Sequence, residues 1–210
     1  MGALQRVVDW IEGHEVFERE RMPNEVRALG MLLYRSGLGC GMAGRIVGVS
    51  HTAVWDWVHR GRALFADQKR RVCRRRLAID EKEVKVGETP YYVWAAVDLD
   101  REEVVEVLVT QGRSGLEATA FLRRVARLCR GRKPRVFVDG GSWYPWALQR
   151  LGFRWTVVAF GPRSMIERFF SQVEWRLVRF WGRFYRGDRE SLQSWMEAFA
   201  GLTNSEELLS

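Results

Sequence analysis

The order of apolar runs from Leu77 onward is the feature that most restricts the fold of this chain. Three strand-like runs come first, at residues 77–86, 91–98 and 104–110, and the turn-forming stretch Gly87–Pro90 joins the first two. Helix-like and strand-like segments then alternate, with helices over 116–129, 142–151 and 164–180 and strands over 135–138 and 155–160. The resulting order, βββαβαβα, predicts an α/β domain.

Three acidic residues stand at chemically suggestive places in this pattern. Asp80 ends the first apolar run, Asp139 ends the run that begins at Val136, and Glu167 lies on the predicted helix 164–180. A carboxylate that directly follows a buried strand is held at the edge of the sheet, and a Glu on a later helix can reach the same point. Three such carboxylates suit two Mg²⁺ ions about 3.5–4 Å apart, an arrangement that promotes displacement at phosphorus.

Other acids near these runs have simpler interpretations. Asp98 ends the second strand, where we read it as structural or turn-forming. Glu81 and Glu83 follow Asp80 on a hairpin strand and are interpreted as solvated side chains.

The N-terminal third predicts a helix-turn-helix. A helix over 24–36 carries Val26, Leu29, Leu32 and Leu33 on its apolar side, and a second helix covers 41–47. Gly48 suits the positive φ of a turn, and Ser50 suits the cap of a further helix over 51–60. In that last helix Val54 and Trp57 face inward. The residues left to meet DNA are Ser50, His51, Thr52, Trp55, His59 and Arg60, with Asp56 as an acid on the same face.

The charge distribution supports a polyanion-binding module in the same third. The chain carries a net charge of +8, and residues 1–77 hold 14 Lys and Arg against 8 Asp and Glu. Residues 60–76 are strongly basic and are interpreted either as a linker that follows the DNA backbone or as a solvated charge run. We therefore expect a DNA-binding domain with a basic linker over 1–76, a catalytic domain over 77–204 and a tail over 205–210.

The sequence also excludes several classes of protein. No run of 18 apolar residues exists and no signal-peptide pattern opens the chain, so we expect a cytoplasmic, nucleoid-associated protein. Cys40, Cys73 and Cys129 are widely spaced, which argues against both a zinc site and a disulfide framework.

At several segments the chain resembles DDE transposases, and most of all the archaeal insertion-sequence transposases related to insertion-sequence family six. The Asp-Gly-Gly-x-Trp-Tyr sequence that begins at Asp139 and the later Ile166-Glu167-Arg168 are specific to that group. The matching segments are 79–85, 93–98, 138–148, 163–170 and 198–204. The resemblance implies a ribonuclease H-like catalytic domain preceded by a helix-turn-helix domain.

The resemblance also implies a reaction and its participants. Asp80, Asp139 and Glu167 would be the catalytic acids and would hold two Mg²⁺ ions, or Mn²⁺ in their place. The protein would bind terminal inverted repeats, cleave a strand at the element's end and join the exposed 3′-hydroxyl to target DNA, as a homodimer or larger assembly. Arg163, Arg168 and Arg176 would hold DNA phosphates. Trp143 and Tyr144 would pack their helix or stack on a base.

Two acids compete for the third catalytic position, and the chain departs from the family pattern at two residues. Glu174 has 34 residues between it and Asp139, a spacing common in the family, whereas Glu167 has 27, but the local match around Glu167 favours the latter. The family usually has Asn at the position of Ser164 and a basic residue at the position of Glu174. These departures keep open a decayed or domesticated transposase that only binds DNA, and a ribonuclease H-like nuclease of another pathway is a further alternative.

Overall fold

The computed structural model describes residues 2–17, 22–178 and 187–206. These residues form two compact units, one joining the chain up to Gln68 to the chain from Ser194 onward, the other formed by Lys69–Gln193. The expected domain boundaries, 1–76 and 77–204, differ from this division in two places: the sheet unit begins at Lys69, and residues after Gln193 cluster with the N-terminal helices.

The helical unit begins with five helices and closes with most of a sixth. They are α1 (Ala3–Gly13), α2 (Asn24–Arg35), α3 (Cys40–Val47), α4 (His51–Arg60) and α5 (Arg62–Gln68), and the later helix α9 (Arg189–Glu206) contributes its part from Ser194 onward. The Trp195 indole donates a hydrogen bond to the Tyr34 hydroxyl at 3.0 Å, and the guanidinium of Arg35 lies 4.1 Å from the ring centre of Phe199. Helix α9 is therefore part of the core of this unit.

Three small residues shape the turn between α3 and α4. Gly48 adopts a left-handed conformation with φ of 77°, and the Ser50 hydroxyl accepts a hydrogen bond from the Ala53 amide at 3.2 Å, which caps α4. A Cβ on Gly44 would lie 2.6 Å from the carbonyl oxygen of Val49, so only glycine permits this close approach. These features form the helix-turn-helix that the sequence predicts.

In the described part of the chain, five strands form one sheet. They are β1 (Arg76–Val86), β2 (Thr89–Asp98), β3 (Glu103–Thr110), β4 (Arg135–Val138) and β5 (Arg154–Val157), and their spatial order is β3-β2-β1-β4-β5. The pairs β1–β2 and β2–β3 are antiparallel, whereas β1–β4 and β4–β5 are parallel. This is the ribonuclease H-like arrangement, and it follows from the chain order because hairpins join the first three strands and helices connect the rest.

Helices cover both faces of the sheet, and the alternation of side chains along β1 decides what each face meets. Leu77 and Ile79 point into a buried cluster with α6 (Gly115–Arg127) and α7 (Tyr144–Arg150). Asp80 and Lys82 point to the opposite face, where they form ion pairs with Arg163, just before α8 (Ser164–Val178), and with Glu174 of that helix. Successive residues of β1 therefore serve two different surfaces.

The predicted order of elements is confirmed, with small shifts at the ends. The largest shift is at the strand predicted over 155–160, which ends at Val157, and the helix predicted over 142–151 begins two residues later, at Tyr144. The helix predicted over 164–180 is present up to Val178, and its last two residues lie outside the described part of the chain. Helix α9 has no counterpart in the sequence prediction.

The basic stretch 60–76 is more ordered than the expected linker. Residues 62–68 form α5, with Leu64 and Phe65 buried. The Arg74 guanidinium is buried and binds Asp98 at 2.6 Å and Glu103 at 2.7 Å. Arg74 therefore belongs to the interior of the sheet unit, and Asp98 has the structural role that the sequence suggested. No helix in the described ranges is long and apolar enough to cross a membrane.

Candidate active site

Asp80 and Asp139 lie side by side because their strands are neighbours. Ala78 pairs with Phe137 in the parallel β1–β4 ladder, so Asp80 and Asp139, two residues further along each chain, are at the same level. Adjacent strands are about 4.8 Å apart. The amide of Gly141 donates a hydrogen bond to the Asp139 carboxylate at 2.9 Å, which fixes that side chain beyond the end of β4.

Arg163 joins the third acid to this pair. Its guanidinium donates from Nη2 to Oδ2 of Asp80 at 2.7 Å, and Nη1 lies 3.6 Å from Oε1 of Glu167. The amide of Glu167 donates to the carbonyl of Arg163 at 3.0 Å as α8 begins, so the two side chains lie one helical turn apart. Two of the three predicted acids, Asp80 and Glu167, therefore contact one guanidinium.

The electrostatics of the group show how closely these charges interact. Burial raises the pKa of Asp80 above its usual value, Arg163 opposes that rise, and Asp139 adds to it. Burial by itself lowers the pKa of Arg163, but the charges of Asp80, Asp139 and Glu167 outweigh it and hold the pKa above the usual value. The charges of Asp80, Asp139 and Glu167 therefore all act on the Arg163 guanidinium.

The carboxylates fit a divalent metal ion in chemistry but not in their present spacing. Among the residues that the structure describes, no three acids, histidines or cysteines are close enough to hold a metal ion. Arg163 lies where their charges meet, and its Nε is buried without a hydrogen-bond partner within the described ranges. Oxygen ligands of this kind suit Mg²⁺ or Mn²⁺ once the guanidinium moves aside.

Comparison with known proteins identifies the family. Residues 74–159 match the DDE domain of IS240-type transposases, a range that includes Asp80 and Asp139 and stops before Glu167. An uncharacterized protein of Methanocaldococcus jannaschii, MJ0017, is 32% identical over 201 residues, which are 93% of each chain. The chain belongs to the same family as MJ0017 and carries a DDE domain over residues 74–159.

Among solved structures, the DDE protein is similar to a chain in the simian T-cell lymphotropic virus intasome, determined by cryoEM in complex with the PP2A regulatory subunit B56 gamma. The TM-score is 0.47 and the sequence identity is 17%. The match covers 81% of this chain and 66% of the intasome chain, so it spans slightly less than two thirds of the longer protein.

Glu81 differs from the solvated residue that we expected. Its side chain is 3% exposed and lies on the face of β1 that packs against α7. Its Oε2 accepts hydrogen bonds from the Tyr144 hydroxyl and, at 3.2 Å, from the Trp143 indole. Burial raises the pKa of Glu81 to about 7, and the nearby charges of Asp80 and Asp139 add to the rise while the hydrogen bonds oppose it. The period-two pattern of β1, which groups Glu81 with Ile79, is the signal that could have revealed this burial.

Trp143 and Tyr144 are held by Glu81, so the packing interpretation fits them better than base stacking. Tyr144 is fully buried, whereas Trp143 is only partly buried. The guanidinium of Arg113 lies 4.2 Å from the Trp143 ring centre and 3.5 Å from Oε1 of Glu81. Arg113 was missed because the loop that carries it has no helix or strand pattern.

Glu174, the acid at the family's basic position, forms an ion pair with Lys82 of β1. Both side chains are half-exposed, at 50% and 40%. Glu174 therefore lies on the α8 face beside Lys82, whereas Glu167 pairs with Arg163, which also binds Asp80. The choice of Glu167 as the third acid stays a prediction.

The three arginines expected to hold DNA phosphates occupy different environments in this DDE protein. Arg168 is exposed on α8, and Arg163 lies in the acid group. Arg176 is only 1% exposed and packs inside the sheet unit, so its burial prevents it from contacting DNA in this structure. The expectation for Arg176 is corrected accordingly.

The outer face of α4 is arranged largely as the sequence indicated. Ser50, His51, Thr52 and Arg60 are exposed, and Trp55 is 52% exposed with its ring 3.8 Å from that of His59. Arg60 binds Asp56 at 2.8 Å and the carbonyl of Val16 at 3.0 Å. The Asp56–Arg60 pair neutralises the acid that seemed unfavourable on a DNA-facing surface.

Proposed function

We propose that this chain is an insertion-sequence transposase that binds terminal inverted repeats and catalyses metal-dependent DNA cleavage and strand transfer. One observation carries the catalytic part of this proposal. Asp80 and Glu167, which come from a strand and a helix distant in sequence, both contact one cation, the Arg163 guanidinium, and the charge of Asp139 on the neighbouring strand also acts on it. Such convergence of acids at the edge of a ribonuclease H-like sheet is suited to cation binding rather than to folding stability.

The three acids would hold the metal ions, and the remaining residues would position them and the DNA. Bound Mg²⁺ or Mn²⁺, in one or two ions, supplies a Lewis acid that lowers the pKa of an attacking hydroxyl and stabilises a leaving oxygen. Asp80 and Asp139 are presented by rigid neighbouring strands, and Glu167 by the first turn of α8. Arg163, once displaced from the acids, lies close enough to bind a phosphate of the DNA strand.

Recognition of the element ends is assigned to α4. Thr52 and His51 in its first turn and Trp55 in its second are exposed, as a helix that reads the major groove requires. Ser50 and His59 border this face, and Arg60 provides positive charge at the helix end. Synapsis of two DNA ends further implies a homodimer or larger assembly acting on DNA in the cytoplasm, at the nucleoid.

The catalytic assignment is tested with isosteric variants of the full chain. Asp80→Asn, Asp139→Asn and Glu167→Gln should each abolish Mg²⁺-dependent cleavage and strand transfer on an end substrate while leaving its binding largely intact. Glu83→Gln is the matched control, because Glu83 is exposed on the same strand as Asp80. Retained strand transfer in Glu167→Gln together with its loss in Glu174→Gln would show that the third acid is Glu174.

The assignment of α4 as the helix that reads DNA is tested by comparing binding to the terminal repeat with binding to unrelated DNA. Thr52→Ala should weaken binding to the terminal repeat by about 1–3 kcal/mol while changing binding to unrelated DNA little, because a base contact discriminates sequence and a phosphate contact does not. Ser36→Ala, an exposed hydroxyl removed elsewhere in the helical unit, is the control. Equal losses on both DNAs would refute α4 as the reading helix.

The alternative, a decayed transposase that only binds DNA, predicts terminal-repeat binding without cleavage in the unaltered chain. The same assays separate the two functions.

A further inference from the structure

The short segment between Asp139 and α7 has an unusual path. Gly140 adopts a left-handed conformation with φ of 96°, and a Cβ on Gly141 would lie 2.5 Å from the Trp143 indole. The chain thus turns sharply after β4 and folds the Trp143 ring back over Gly141. Because the Gly141 amide also holds the Asp139 carboxylate, any movement of this segment moves that carboxylate.

Glu81 accepts hydrogen bonds from residues at the far end of this segment. Its Oε2 accepts hydrogen bonds from both the Trp143 indole and the Tyr144 hydroxyl, which lie four and five residues beyond Asp139. The other oxygen, Oε1, lies 3.5 Å from Arg113, whose guanidinium stacks on Trp143 at 4.2 Å. Burying a carboxylate costs stability unless hydrogen bonds and an opposite charge satisfy it, and here two donors and Arg113 do so.

Glu81 is also the residue directly after Asp80. The alternation of β1 sends Asp80 to the α8 face and Glu81 to the α7 face, so one rigid stretch of backbone carries both carboxylates. Neighbouring strands hold the backbones of Asp80 and Asp139 together, but Asp139 lies beyond the last residue of β4. The ladder therefore fixes Asp80, while the Asp139 side chain needs a second restraint.

We infer that Glu81 is a positioning residue that ties the Asp139 segment to the strand of Asp80 and so sets the distance between the two metal-binding carboxylates. This inference rests on the proposed metal-dependent function. It assigns Glu81 no contact with metal or DNA. Its action requires an acceptor for two donors and not a negative charge, so glutamine should replace it and alanine should not.

The first experiment measures Mn²⁺ binding to the full chain by electron paramagnetic resonance. Glu81→Ala should weaken the affinity by about tenfold or more, the range found when residues that orient metal ligands are removed. Glu81→Gln should stay within about threefold of the unaltered chain, because its amide oxygen still accepts both hydrogen bonds. Glu83→Ala, on the same strand, should change nothing.

Tyr144→Phe provides a milder test that keeps the Trp143 bond and the ring packing. It should weaken Mn²⁺ binding less than Glu81→Ala does. The double variant Glu81→Ala/Tyr144→Phe should bind Mn²⁺ no more weakly than Glu81→Ala alone, because both changes remove the same hydrogen-bonded restraint. An affinity of Glu81→Gln as low as that of Glu81→Ala would overturn the inference in favour of a role for charge. Additive losses in the double variant would likewise overturn it.

A second experiment needs no metal, so it tests the positioning role of Glu81 independently of the proposed metal-dependent function. Amide hydrogen exchange of residues 139–144 in the metal-free chain should be faster in Glu81→Ala and Tyr144→Phe but not in Glu81→Gln, with exchange in β2 and α6 unchanged. Unchanged exchange in Glu81→Ala would overturn the inference that Glu81 restrains this segment. If the unaltered chain and Asp139→Ala bind Mn²⁺ equally weakly, the proposed metal site fails while the exchange result still decides the role of Glu81.

Discussion

Replacing Arg163 by glutamine should strengthen metal binding, although it removes a well-formed ion pair. In the metal-free protein the guanidinium neutralises the acids, and it must leave before an ion can approach Asp80 and Asp139. At the proposed metal site, Arg163 would therefore compete with the ion. Arg163→Gln keeps hydrogen-bonding capacity while removing the competing charge.

The size of the effect follows from the distances. With Nη2 of Arg163 2.7 Å from Oδ2 of Asp80, the charge centres are about 4 Å apart, and two unit charges at that separation interact by about 4 kcal/mol at an effective dielectric constant of 20. Asp80 is 15% exposed and Glu167 is 46% exposed, so solvent screens their attraction to Arg163. The free-energy cost of displacing the guanidinium is therefore smaller than this value. We expect about 1.4 kcal/mol of this interaction to oppose metal binding in the unaltered chain. Replacing Arg163 should therefore raise the Mn²⁺ affinity about tenfold.

The assay is Mn²⁺ titration of the metal-free full chain, followed by thermal unfolding with and without Mn²⁺. Arg163→Gln should lower the unfolding temperature without metal, because three acids lose their counter-ion, and should show a larger rise on adding Mn²⁺. Arg168→Gln removes the same charge from an exposed position on the same helix and is the control. Equal Mn²⁺ affinity in Arg163→Gln and the unaltered chain would refute the competition.

Three further predictions concern other parts of the chain. Glu174→Gln should free Lys82 and raise DNA affinity by up to a few fold at low salt, since such exposed pairs are worth less than about 1 kcal/mol, and anisotropy titrations showing no gain would contradict this. A fragment of residues 1–76 should not fold cooperatively by circular dichroism, because it lacks the part of α9 that completes the helical core; a sharp melting transition would contradict this. Iodoacetamide at pH 8 should label exposed Cys73 much faster than Cys129, because burial raises the pKa of the Cys129 thiol to about 11 and leaves very little thiolate; equal labelling rates would contradict this packing.

The sheet unit was predictable because its signals are local. Strand runs, turn residues and the acids that follow them can be read within short windows, and the order of elements then limits the topology. Helix α9 was not predicted because its role is tertiary: it packs on helices more than 100 residues earlier in the chain, as the bond from Trp195 to Tyr34 shows.

The apolar side of α2 shows a second limit of sequence reasoning. Leu29, expected inward, is 39% exposed, whereas Ala28, Met31 and Tyr34 are buried. Two arginines share that inner side, and one of them, Arg27, lies 4.5 Å from the ring centre of Phe17. An arginine can bury its long stem and its planar head under aromatic rings, so a pattern that counts every charge as exposed misplaces the helix face.

The active-site acids illustrate both limits together. Their positions at strand ends were readable, but the convergence on Arg163 depends on where α8 begins relative to β1. The same holds for Glu81, whose partners come from a loop and a helix more than 60 residues later. Sequence indicates which side chains carry the chemistry, whereas the residues that neutralise and position them emerge only in three dimensions.

The two departures from the family pattern take on a different meaning once their surroundings are known. Ser164 is the first residue of α8, and its amide donates to the carbonyl of Gly161 at 2.9 Å. Because this bond is made by the backbone, it does not depend on which side chain stands at position 164. Glu174 binds Lys82, which lies on the same face of β1 as Asp80, so the acid is neutralised and a positive charge lies beside it. Neither departure alters Asp80, Asp139 or Glu167. The proposed catalytic acids are therefore retained, and the effect of Glu174 would fall on DNA affinity, through its pairing with Lys82.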